Sequence, residues 1–141
     1  MILTLKAVSL IYQFWIHTEL ITKLPRWFEF VFNTPSHHRV HHSCDVKYLD
    51  MNHAGILIIW DRMFGTFIEE KEKPEYGIRD NIDSHNPIKI AFHEWVSIGK
   101  DLQSKTSWSN KIKYVFGPPG WSHDGSRKTT AQLKKDIHLK D

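Results

Sequence analysis

The string Thr34-Pro35-Ser36-His37-His38-Arg39-Val40-His41-His42-Ser43 constrains this chain more than any other feature. Five of its ten histidines fall between His37 and His53. His38, His41 and His42 form H-x-x-H-H, and on a helix residues three and four apart share a face. One and a half turns can therefore aim three imidazoles at one point. Neutral imidazole is a ligand for iron, zinc, copper or nickel. Without a metal, so tight a cluster repels itself as it protonates below about pH 6.5. Metal binding is the reading we adopt over a pH-sensing patch, and spacing does not name the metal. His37 belongs to another face, from which it can support the cluster.

His17 is a further candidate, on an apolar stretch with Phe14 and Ile21. A lone histidine in such a setting is more often a core residue than a ligand, and spacing leaves both roles open. Glu19 projects sideways and reads as an interface charge. His53, at the edge of the next apolar block, reads as structural, and His85, His93, His123 and His138 as surface residues. The single cysteine, Cys44, excludes an intrachain disulfide and a Cys₄ or Cys₂His₂ zinc module. Nothing orients Cys44 as a nucleophile, and there is no G-x-S-x-G elbow, phosphate loop or G-x-G-x-x-G.

With 141 residues, the chain is the size of one domain. Residues 2–23 have the period of a helix, ending by Pro25. The opening stretch, 1–16, is apolar but short of the about 20 residues of a membrane span. It lacks the basic start and cleavage site of a secretory signal, and reads as a buried helix or the end of a span. Residues 26–33 suit a short interfacial helix. Asn33 to Ser36 form a turn that caps a helix starting near His37. In the apolar block 54–68, Gly55 and Gly65 mark a turn or a close backbone approach. A charged loop over 69–87 precedes amphipathic helices over 88–103 and 108–116, the latter capped by Ser107 or Ser109. Residues 122–141 are polar and read as a loosely ordered tail. The net charge of +3 comes from scattered lysines, which disfavours nucleic acid as a partner.

Tyr12 to Phe67, and within it TPSHHRVHH and IIWDRMFGT, resembles the last part of the catalytic region of the fatty acid hydroxylase/sterol desaturase superfamily. Glu75-Tyr76-Gly77-Ile78, Asn86-Pro87-Ile88-Lys89 and Gly117-Pro118-Pro119-Gly120-Trp121 resemble its alkylglycerol monooxygenase-like and bacterial sterol desaturase-like branch. The resemblance implies an all-α, membrane-associated helical fragment: the end of the last membrane helix plus a helical cytoplasmic cap. Residues 1–121 would be the C-terminal part of the hydroxylase domain and 122–141 the tail.

It further implies two iron ions in a cage of eight or more histidines, with His38, His41 and His42 as the final motif and His17 as a separate helix ligand. His37 and His53 are not assigned as ligands. Trp60 to Arg62 and Phe64 to Thr66 would tie the segment after the cage back onto the helices. The implied activity is O₂-dependent hydroxylation or desaturation of a lipid. A tetrahydropterin or a cytochrome-type redox partner would supply electrons, in the endoplasmic reticulum of a eukaryote or the inner membrane of a bacterium. The first H-x(3–4)-H and first H-x-x-H-H are not in this sequence. The chain is therefore expected to be the second half of such an enzyme and inactive alone. The rival expectation is a non-catalytic metal-binding remnant, or one piece of a split enzyme.

Overall fold

The computed structural model describes residues 2–79 and 82–138; Met1 and the His138 side chain lie outside what is described. Seven helices are present among the described residues: α1 (Ile2–Ile16), α2 (Arg26–Val31), α3 (Pro35–His41), α4 (Ile59–Phe64), α5 (Pro87–Gln103), α6 (Trp108–Phe116) and α7 (Thr130–His138). There is no strand among the described residues, only an isolated antiparallel bridge between Ser43 and Tyr76, so the all-α expectation holds. No described helix is long and apolar enough to cross a membrane. The chain divides into two compact units, residues 1–79 and 80–141.

In the first unit, α1 stops at Ile16, short of the 2–23 helix that periodicity suggests. A distant side chain accounts for this: Arg39 takes the carbonyls of Thr18, Ile21 and Thr22, which a longer helix would keep for itself. Of the α1 side chains only Ile16 is buried, and Leu3, Leu10, Ile11 and Phe14 are exposed. Helix α3 begins where Thr34 is extended and Pro35 occupies the first turn, a position that needs no N–H.

The interior of this unit is small and polar. Ile16, Val40, Tyr48 and Ile58 are its buried apolar residues, beside Asn33, Thr34, Ser36, His37, His38, Asn52 and Asp61. Buried polar groups must be paired, and the long segment after α3 does the pairing. Asn52, at positive φ (54°), donates to the carbonyls of His37 and Ile68 and accepts from the Ile68 N–H. Asp61 accepts from the N–H groups of His53 and Ala54 at 2.8 and 2.9 Å and from the Thr66 hydroxyl at 2.6 Å. Gly65 ends α4 in the left-handed region at φ 74°, turning Thr66 back to Asp61. Arg62 lies over the Phe67 ring at 3.6 Å and donates to the Phe30 carbonyl. Trp60 to Thr66 thus binds the segment after the histidines to the helices, as the motif suggests. Gly55 allows the close approach of Gln13 on α1: a Cβ there would lie 2.9 Å from the Gln13 amide.

In the second unit α5 packs on α6. Asn86 caps α5 and Ser107 caps α6, so of the two serines considered it is Ser107 that serves. Arg127 pairs with Asp101 at 2.7 Å, and the Tyr114 hydroxyl meets His123 Nδ1 at 2.6 Å. Residues 130–138 form α7 where polar composition suggests loose order. Its start is a reciprocal cap: Gln132 accepts from the Thr129 N–H while Thr129 accepts from the Gln132 N–H. The sequence signal, Thr129-x-x-Gln132, was there to read.

Asp61→Ala would leave two partly buried N–H groups and a hydroxyl without their acceptor. It is expected to cost about 2–4 kcal/mol of stability. Urea unfolding followed by circular dichroism checks this, and a loss below the lower bound refutes the role given to Asp61.

Candidate metal centre

Helix α3 carries His38, and His42 follows as its C-cap residue, four positions on and on the same side, as the spacing suggests. The end of α1 delivers His17 to the same point. The three Nε2 atoms form a triangle: 2.8 Å from His38 to His17, 3.0 Å from His42 to His38 and 3.3 Å from His42 to His17. His38 is buried, whereas His17 and His42 are open on one side.

This triangle cannot be held by hydrogen bonds alone. Each Nε2 either carries a proton or presents a lone pair. Three mutually touching groups cannot all be donor–acceptor pairs, so at least one edge sets like against like. One corner is fixed. His17 Nδ1 lies 2.6 Å from the Gln13 carbonyl, which only accepts, so Nδ1 donates and the neutral ring turns its Nε2 lone pair into the triangle. A cation at the centre would satisfy all three lone pairs. With metal–nitrogen bonds of about 2.0–2.1 Å, ligands of one ion lie about 2.8–3.4 Å apart for angles from square to tetrahedral. The residues fit such an ion in donor type, separation and second hydrogen bond.

The electrostatics agree. Burial, then the like charges of His17, His42 and His41, pushes the His38 value down to about 3. Burial first, then His41 and His17, lowers His42. Both rings are held as neutral ligands at neutral pH.

His41 is not at the triangle. Its ring stacks on His38 at 5.6 Å between centroids and faces His53 at 6.1 Å. Of the four histidines singled out in the sequence, His17, His38 and His42 converge and His41 points to the neighbouring space. His53 lies with Ile56, Leu57, Trp60 and Phe64 around an open, mainly apolar recess. His37 is buried against Phe67, with its Nδ1 unpartnered among the described residues, and burial lowers its value too. Glu19 pairs with Lys73 at 3.0 Å on the surface. Sequence reasoning missed Arg39, although it stands inside the histidine string. Its Nε and Nη2 grip Glu70 at 2.8 and 2.6 Å.

Depressed histidine values make the metal-free chain acid-sensitive. Between the His38 value of about 3 in the fold and 6.5 in the unfolded chain, the unfolded state binds more protons. Stability is full above 6.5 and is lost as pH falls toward 3. Melting of the metal-free chain from about pH 8 to 4 should show the midpoint dropping only below about 6.5. A midpoint constant across that range refutes the burial assigned to His38.

The fatty acid hydroxylase family model matches residues 1–66. Alkylglycerol monooxygenase of Xenopus tropicalis is 49% identical over 129 residues, which is 92% of this chain and 28% of that protein. The alkylglycerol monooxygenase of Homo sapiens is 48% identical over the same shares. That of Caenorhabditis elegans is 40% identical over 124 residues, 80% of this chain and 24% of that protein. The chain spans about a quarter of the length of the curated relatives it matches. No solved structure matches it.

Proposed function

The chain belongs to the fatty acid hydroxylase superfamily as an alkylglycerol monooxygenase-like member, and from that premise we propose that it is the C-terminal part of an O₂-dependent, di-iron lipid hydroxylase. His17, His38 and His42 hold one iron ion in this reading, and His41 serves the second. The observation that carries it is the Nε2 triangle, whose edges of 2.8, 3.0 and 3.3 Å suit one shared ion. The names of the relatives support an alkylglycerol or a similar ether lipid as substrate. A tetrahydropterin or a cytochrome-type partner supplies electrons. Membrane association is part of the proposal, supported by the exposed apolar side chains along α1.

Bound iron supplies O₂ activation and the oxidising power that breaks an unactivated C–H bond. The chain's own residues prepare for it. The Nε2 atoms of His17, His38 and His42 would hold the ion, with His38 buried and His17 and His42 exposed. The Gln13 carbonyl accepts from His17 Nδ1–H and fixes the ring's orientation, so that the neutral tautomer presents its Nε2 lone pair to the triangle. The pairings of Asn52 hold the backbone of α3 in place at His37, next to the first ligand of that helix.

One cluster of three histidine donors lies among the described residues. This supports a second reading, in which the chain alone loads a single ion and acts as a metal-binding piece of a split enzyme or as a remnant. Metal analysis and oxygen uptake with an alkylglycerol and tetrahydropterin separate the two. Two equivalents of iron with lipid-dependent uptake once the chain is joined to a segment bearing H-x(3–4)-H and the first H-x-x-H-H support the first reading; one equivalent without turnover in that joined form supports the second.

Either way, the ligand assignment makes a prediction for cobalt(II) binding by calorimetry. His17→Ala, His38→Ala and His42→Ala should each weaken it by about 100-fold, or about 2.8 kcal/mol. His41→Ala should leave the first ion within about threefold of the unmodified chain, under about 0.7 kcal/mol. Equal losses at all four positions refute the assignment of the triangle.

A further inference from the structure

Arg39 stands on α3 between His38 and His42, and its side chain is 10% exposed. A guanidinium has five N–H groups, and here five donations are made. Nε and Nη2 hold the two oxygens of Glu70. Nη1 donates to the carbonyls of Thr18 at 3.1 Å and Ile21 at 2.8 Å, and Nη2 donates to that of Thr22 at 2.7 Å. Those three carbonyls belong to the irregular segment directly after His17. Glu70, itself 12% exposed, takes up the charge and fixes the plane of the group.

The consequence is geometric. His38 and His42 are placed by α3, but His17 comes from a different element and needs its own registration to them. The Gln13 carbonyl sets the rotation of its ring. It does not span the gap between the end of α1 and α3. Tyr12 ties α1 to the Asn33 carbonyl ahead of α3, and Arg39, rooted beside His38, grips the chain one residue beyond His17. We propose that Arg39 is a positioning residue of the metal centre: its clamp on Thr18, Ile21 and Thr22 brings His17 Nε2 within reach of His38 and His42. This rests on the metal reading given above.

Lysine cannot replace it, because a single ammonium with three donors cannot hold a carboxylate by two prongs and three carbonyls as well. Lys23 offers a control. It ties the same segment after His17 to Glu69, the neighbour of Glu70, through a surface pair at 2.6 Å, without reaching α3.

Cobalt(II) titration of the whole chain by calorimetry tests the inference, with circular dichroism to follow helicity. Arg39→Lys should lose about 10- to 100-fold in affinity, the range for removing a group that orients a ligand. Lys23→Met should stay within about twofold, since exposed pairs contribute little. The deciding measurement is the same pair of proteins carrying His17→Ala. If Arg39 acts through His17, Arg39→Lys then costs nothing further beyond about twofold. An equal loss with and without His17 makes Arg39 a general fold residue and overturns the proposal, as does unchanged affinity in Arg39→Lys. Should Arg39→Lys lose its helical signal, Glu70→Gln replaces it, with an expected loss of about 3- to 10-fold that also vanishes in His17→Ala. Absence of cobalt binding by the unmodified chain overturns the metal reading and this inference together. Binding by the unmodified chain with no effect at Arg39 overturns the inference alone.

Discussion

Three imidazole nitrogens within 3.3 Å of one another cannot all be satisfied by each other's protons. The first unit is arranged around that contact. Burial keeps His38 neutral and the Gln13 carbonyl turns the His17 lone pair inward, so at least one edge of the triangle sets like against like. The surrounding polar network accounts for how such a contact is held in a unit with so little apolar interior.

That network has two arms. On one side Asn52 and Asp61 pin the segment after α3 by pairing backbone groups that would otherwise be buried unsatisfied. On the other, Arg39 and Glu70 join α3 to the end of α1. Each arm trades hydrophobic area for directional bonds, which fix positions more narrowly than apolar packing does. A site that needs its ligands placed to a few tenths of an ångström benefits from this exchange. The apolar residues of α1 contribute little to it, because most of them are exposed.

Much of this was legible beforehand, for local reasons. The i, i+4 relation of His38 and His42, the turn before α3, the cap at Ser107 and the turn at Gly65 are all properties of a few adjacent residues. The family signature lay in the same short strings. Helix α7 was equally local, and the Thr129–Gln132 cap announces it despite the polar composition. The α1 boundary was not local. Periodicity carries a helix to residue 23, and only the carbonyl-seeking guanidinium of Arg39, seventeen to twenty-one residues away in sequence, unwinds it after Ile16.

The sequence by itself determined the donor chemistry: which residues can ligate, that two of them share a helical face, and to which superfamily the pattern belongs. Helical geometry is periodic, so spacing alone carries that information. Only the tertiary structure decided which of the candidates meet. It brought His17 rather than His41 to His38 and His42: the His41 ring stacks beside His38 and faces His53, while His17, just past the end of α1, meets His38 directly. That choice depends on contacts between residues far apart in the chain, through Arg39, Tyr12 and Asn33, and no local pattern records them.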